Sequence, residues 1–272
     1  MSLAVVLPSR GLVYSQTVDE LLRELDGLDY RILWSHGRPI PDCFNVPTEE
    51  ALAGDYSHVL FIEEDMVLTP GIVRKMLDRK TYAVACDYPV GGSSGGTVMY
   101  DPEGAAFFTG CGLLLVESDL LRRMPKPIWR TDVRWRPTVE SGIVKFEVSL
   151  KDDPTIYGQQ DVAFGLRLYA NNLPIQVMEE TIGQREMVTR GGRGSNKGFH
   201  VVKERMQVVQ RTDLTRVLKQ PLMEEIVIDG KIVKVQPKKL ATLSHVEYPD
   251  QIRAGRAAFT NYQSLNGWLT LN

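Results

Sequence analysis

A chain of 272 residues with 43% hydrophobic content is long enough to bury a full core, and no run approaches eighteen apolar residues, which excludes a membrane-spanning helix. The formal net charge of −2 gives no global sign of a nucleic-acid partner. The chain enters Leu3-Ala4-Val5-Val6-Leu7 without a basic leader or cleavage site, so a soluble cytoplasmic protein is expected.

Leu3 to Leu7 reads as a short buried strand that turns out at Pro8-Ser9-Arg10-Gly11. Ser15-Gln16-Thr17 then caps a helix whose Val18, Leu21, Leu22 and Leu25 fall at helical spacing. Tyr30 to Trp34 is a second strand ending in Ser35-His36-Gly37, and Pro47-Thr48 opens a helix from Glu49 to Ala53. Val59 to Ile62 is an unbroken apolar run, the pattern of a strand covered on both faces, followed by a helix from Pro70 to about Leu77. Strands alternating with helices at this spacing predict repeated βαβ units and a mostly parallel sheet.

Tyr82 to Cys86 is a fourth strand, broken at Asp87-Tyr88-Pro89, and the glycine-rich Gly91 to Gly96 reads as a mobile flap rather than a phosphate cradle, because no Lys-Ser/Thr follows it. Phe107 to Val116 is a further buried strand, whose Gly110 and Gly112 imply close backbone approach of another group. Ser118 caps a helix to Met124. A proline-stiffened loop then carries Trp129 and Trp135, which suit either a lid or ordinary packing. Asp161 begins a helix closed by Asn171-Asn172, and Ile175 to Met178 is another strand. Between Arg185 and Lys219 nine basic residues face three acidic ones, and Arg190-Gly191-Gly192-Arg193-Gly194 is the most flexible part of that segment. Glu224 to Gln236 is a hairpin about Asp229-Gly230, and Leu243 to Trp268 is expected to be helical with breaks. Cys43, Cys86 and Cys111 match no zinc spacing and are expected to be reduced core thiols.

The stretch from His58 to Met66 organises the rest. Its apolar run stops at Glu63, Glu64 and Asp65, at the strand end where open α/β sheets place their ligands. Three adjacent anions repel one another unless a cation or solvent offsets them. In extended chain Glu63 and Asp65 point the same way, so the pair could share one divalent ion.

Four pieces in this order resemble the GT-A glycosyltransferases, especially the inverting family 2 type, over about residues 3 to 202. They are Leu7-Pro8-Ser9-Arg10, Phe61-Ile62-Glu63-Glu64-Asp65 as a variant of Asp-x-Asp, Thr109-Gly110-Cys111-Gly112-Leu113, and Gly158-Gln159-Gln160-Asp161. The resemblance implies an α/β, Rossmann-like, mostly parallel sheet flanked by helices. On this basis residues 1–212 form the catalytic domain and residues 213–272 a small hairpin and helical appendage. It implies a divalent ion, Mn²⁺ or Mg²⁺, on Asp65 and Glu63, and Asp161 as the base that deprotonates the acceptor. Pro8, Ser9, Arg10, His36, Glu63, Glu64, Arg190, Arg193 and Lys197 are then expected around a nucleotide-diphosphate sugar. The family often adds a His on the metal side. His200 is the expected ligand there, with Gln184 the other residue near that place, since an imidazole suits Mn²⁺ better than an amide. The acceptor stays open between protein, glycan and modified nucleic-acid base, and the basic segment is expected to grip the donor rather than a duplex. The competing readings are a nucleotidyltransferase and a non-catalytic nucleotide-sugar-binding module.

Overall fold

The computed structural model describes residues 2–9, 11–89, 95–100, 104–140, 143–150, 160–190, 199–206, 210–213, 224–228, 231–235 and 259–260. The first half runs β1 (Ser2–Ser9), α1 (Ser15–Leu25), β2 (Asp29–His36), α2 (Asp42–Ala53), β3 (His58–Ile62), β4 (Met66–Val67), α3 (Ile72–Leu77), β5 (Ala83–Ala85), β6 (Gly95–Tyr100), β7 (Ala106–Phe108), β8 (Leu113–Glu117) and α4 (Ser118–Arg123). There follow β9 (Val133–Glu140), β10 (Ile143–Leu150), α5 (Gln160–Ala170), β11 (Gln176–Val177), β12 (Gly183–Arg190), β13 (Phe199–Arg205), β14 (Gln210–Asp213), β15 (Glu224–Ile228), β16 (Lys231–Val235) and β17 (Phe259–Thr260).

Six strands form the central sheet in the order β11-β5-β8-β3-β1-β2. β1 runs parallel to β2 and β3, and β11 parallel to β5, so the sheet is mostly parallel as expected. β8 is the exception, antiparallel to both β3 and β5. Both faces are covered, which is why the strands lack alternation. Ala4, Val6, Val59 and Phe61 pack on one side with α2, Trp129 and Phe164 of α5. Leu3, Val5, Leu60 and Ile62 pack on the other with Leu21 and Leu25 of α1 and Ile72 and Val73 of α3. Buried Glu24 ties these two helices together by accepting from the N–H of Gly71 (2.6 Å) and Val73 (3.1 Å) at the start of α3. No described helix is long and apolar enough to cross a membrane.

Several expectations are corrected. Phe107 to Val116 is not one strand: it divides at Gly110-Cys111-Gly112 into β7 and β8, which belong to different sheets. Tyr88 packs against the break: a Cβ on Gly110 would stand 2.4 Å from the Tyr88 hydroxyl and one on Gly112 2.5 Å from the ring. α2 begins at Asp42 rather than after Pro47, and carries that proline inside. Tertiary contacts offset the lost backbone bond. Asn45 of α2 exchanges two 2.9 Å hydrogen bonds with the backbone of Trp129, whose indole donates to Thr48 Oγ1 at 3.0 Å. Trp129 is fully buried and stacks on Phe164 at 4.6 Å, so of its two possible uses packing is the one observed.

Trp135 lies on β9, its side chain outside the described residues. The expected loop there is instead the β9–β10 hairpin, and the alternation of Val144, Phe146 and Val148 was its signal. The three cysteines are free and buried as expected, and burial pushes the Cys43 thiol up to about 11. The expected hairpin of β15 and β16 is present. In the stretch expected to be helical, Phe259 and Thr260 are extended and pair with β10, while the rest of it lies outside the described residues. β14 spans the expected boundary at residues 212–213 and pairs with β6. The expected flap from Gly91 to Ser94 lies outside the described residues, and Gly95 and Gly96 already belong to β6.

Candidate functional site at the carboxyl end of the third strand

Glu63 continues the ladder beyond β3, its N–H donating to Gly112 O at 3.1 Å. Glu64 and Asp65 then turn into β4, with Glu64 O accepting from Tyr14 N at 3.2 Å. This corrects the premise that extended chain points Glu63 and Asp65 the same way, because the backbone is not extended there. All three carboxylates are half-buried. β4 pairs with β12, placing Gln184 opposite Met66 and its amide on Asp65, Nε2 to Oδ2 at 3.1 Å.

The neighbouring Arg185 holds the same turn from behind. Its backbone N–H donates to Asp65 O at 2.6 Å, and its guanidinium donates to Thr17 Oγ1 at 2.8 Å, Met66 O, Glu20, and Glu204 at 3.2 Å. Glu20 in turn accepts from Leu68 N at 2.8 Å, so α1, β4, β12 and β13 meet at the buried guanidinium of Arg185. Arg185→Met leaves the carboxylate of Glu20 without its cation. We expect a loss of about 2 kcal/mol in urea unfolding, because the charge-assisted hydrogen bonds of the guanidinium are lost while Glu20 keeps partial access to water. Arg185 was counted among the cations available to a ligand; its side chain is 1% exposed and already paired, which corrects that expectation. Arg205 is likewise engaged, 2.5 Å from Glu186.

On the other side of Glu63 stands Tyr88, which the sequence reading passed over as a strand break. Its hydroxyl accepts from Gly112 N at 3.2 Å and donates to Glu63 Oε2 at 3.5 Å. Burial chiefly raises the Tyr88 phenol, and the charges of Glu63 and Asp161 raise it further. Burial likewise raises the Cys111 thiol, again with Asp161 and Glu63 adding to it. The two carboxylates, remote in sequence, are therefore both close enough to Tyr88 and Cys111 for their charges to be felt there. Asp161 sits in the first turn of α5, half-buried, with Oδ1 accepting from Val162 N at 2.8 Å. Burial raises its carboxyl above the ordinary aspartate range, against the lowering effect of backbone hydrogen bonds. A helix N-terminus tolerates that charge, and the raised affinity for protons makes the carboxylate a better base.

Beyond Tyr88, Asp87 is 6% exposed, and its Oδ1 accepts from the N–H of Tyr88 (2.9 Å), Thr97 (2.7 Å) and Val98 (3.2 Å) and from the Thr97 hydroxyl (3.2 Å). Burial raises this carboxyl too, although those hydrogen bonds oppose the shift. A Cβ on Gly96 would stand 2.2 Å from Asp87 Oδ1, so glycine is required there for β6 to approach.

Not every expected residue joins this group. His200 pairs with Thr189 in the β12–β13 register, whereas Gln184 pairs with Arg205. Five positions along an extended strand put His200 about 16 Å from the level of Gln184, which corrects its assignment as a metal ligand beside Asp65. Pro8 is buried within β1. Ser9 is 4% exposed, with its hydroxyl accepting from Gly11 N and donating to Leu12 O, both at 3.0 Å, so it shapes the turn. His36 is exposed at the end of β2 and stacks on Trp34 at 5.5 Å and 14°. Arg10, Arg193 and Lys197 lie outside the described residues, as does the side chain of Arg190 on β12. Among the described residues, no three of His, Cys, Asp and Glu are grouped to hold a metal.

No family model and no curated protein matches this chain. Among solved structures it is similar to the crystal structure of A197 from STIV, at 16% identity over 58% of this chain and 97% of that one, with a TM-score of 0.38. So slight a likeness carries no argument about fold or function.

Proposed function

We propose that this chain is a metal-dependent, inverting glycosyltransferase of the GT-A type that moves a sugar from a nucleotide-diphosphate sugar to a hydroxyl acceptor. The observation that carries this reading is geometric: at the carboxyl end of β3 the Gln184 amide orients the Asp65 carboxylate, and the buried Tyr88 hydroxyl, held by Gly112 N, donates to Glu63. The donor set fits a divalent ion of a particular kind. Mg²⁺ and Mn²⁺ are commonly held by one or two carboxylates plus substrate phosphates, so Asp65, oriented by Gln184, would hold the ion without a cluster of three protein ligands. When bound, the ion neutralises charge developing on the departing diphosphate. Asp161 takes the proton of the acceptor hydroxyl as its oxygen bonds to the anomeric carbon and the bond from that carbon to the phosphate oxygen breaks; in-line attack inverts the centre.

The stacked pair Trp34 and His36 suits the nucleobase. Trp34 is 43% exposed, and β2 and β3 flank β1, so their carboxyl ends lie two strand spacings, about 10 Å, apart. That is a fitting span from a base to its diphosphate. Trp34→Ala is expected to weaken nucleoside-diphosphate affinity about 10-fold, or ~1.4 kcal/mol, as measured by calorimetry. The deciding experiment is a thermal-shift screen of nucleoside diphosphates and their sugars with and without Mn²⁺, followed by product analysis. Mn²⁺-dependent stabilisation with release of a nucleoside diphosphate supports the transferase. Release of pyrophosphate from a nucleoside triphosphate points to a nucleotidyltransferase, and binding without turnover points to a non-catalytic module.

A further inference from the structure

A cleft of about 600 Å³ opens between β11, at the edge of the main sheet, and the β6–β7 pair. It belongs to none of the groups assigned above except through Asp87, which lines it together with Tyr100, Gln176, Glu179 and Thr181. The charged groups among its described lining are the two carboxylates Asp87 and Glu179. They would repel a diphosphate, so the cleft does not suit a second copy of the donor. Its remaining described lining combines polar groups such as Tyr100, Gln176 and Thr181 with apolar ones such as Ala106 and Ile175. A lining that offers both hydrogen-bonding and apolar groups matches a sugar ring, which has hydroxyls at its rim and C–H bonds on its faces.

The position is also suitable. Cys86 N donates to Leu113 O and Glu63 N to Gly112 O, both at 3.1 Å, so the chain leaving β5 and the chain leaving β3 flank β8. Asp87 therefore lies two strand spacings, about 10 Å, from Glu63, on the side opposite Trp34. Tyr88 fills the interval, joined to Asp87 through its backbone N–H and to Glu63 through its hydroxyl.

We propose that this cleft binds a neutral, hydroxyl-rich glycan as the acceptor, an inference that rests on the transferase reading for the word acceptor but not for the binding itself. The test is saturation-transfer NMR on the full chain, without donor or metal, using neutral di- and trisaccharides ending in glucose, galactose, mannose or N-acetylglucosamine. Spermidine serves as the cationic probe. Binding of at least one glycan, weakened fivefold or more in Gln176→Ala/Thr181→Val while stabilisation by nucleoside diphosphate with Mn²⁺ is unchanged, is the expected result. Three results would overturn the inference: no glycan binds, glycan binding is untouched by the double substitution, or spermidine alone binds. Glycan binding that depends on Gln176 and Thr181 in a chain that never binds a nucleotide would instead sink the transferase reading and leave a carbohydrate-binding cleft.

Discussion

Asp161→Asn is expected to lower turnover by at least roughly 100-fold, the usual scale for a positioned general base, with nucleotide-sugar affinity little changed. The same substitution should raise the thermal midpoint at pH values where the wild-type carboxyl is ionised. Burial raises the Asp161 carboxyl in the folded chain, so the folded state holds that proton more tightly than the unfolded state does. The stability this contributes is present below the unfolded value and is lost as pH rises through the folded one. Above the folded value the wild type carries a half-buried charge that asparagine removes, while the amide oxygen can still accept from Val162 N. The gain in melting temperature should disappear at acid pH, where wild-type Asp161 is already protonated. In turnover, the active form is the carboxylate, so the acid limb of the wild-type profile should lie above the ordinary aspartate range. Unchanged turnover in Asp161→Asn would reduce Asp161 to a helix-terminus charge, and a large loss of donor affinity would move it into the donor site.

Asp65→Ala is expected to abolish Mn²⁺-dependent binding of a nucleoside diphosphate in calorimetry, at a cost to stability of only ~1 kcal/mol for the lost hydrogen bond from Gln184. The carboxylate is half-buried at a turn, and the turn is held mainly by backbone and Arg185 contacts that alanine leaves in place. Gln184→Leu should weaken the same binding about 10-fold, because an amide that orients a metal-binding carboxylate acts indirectly. His200→Ala should leave it unchanged. Full affinity in Asp65→Ala would show that the cation, if used at all, sits elsewhere.

Much of the frame is legible in the chain. Val59 to Ile62 is apolar without alternation because both faces of β3 are covered, and the helical spacing of Leu21 and Leu25 marks the face that α1 buries. The abrupt change from Ile62 to Glu63 marks the strand end where the candidate site lies. Local signals fail where distant contacts decide. Pro47 reads as a helix start, yet Asn45 and Trp129 hold α2 together through it.

What only the tertiary structure decides is pairing. Gly110 and Gly112 announce that something approaches the backbone, but not that it is Tyr88, nor that β8 beyond them runs antiparallel to β3. The same limit applies to the choice between Gln184 and His200. Both lie after the last strand of the sheet, and ligand chemistry favours the imidazole. The β4–β12 register puts Gln184 on Asp65 and carries His200 five positions along the hairpin. Residue type determines which chemistry is available to a carboxylate, whereas strand register, fixed by backbone hydrogen bonds between distant segments, determines which side chain reaches it.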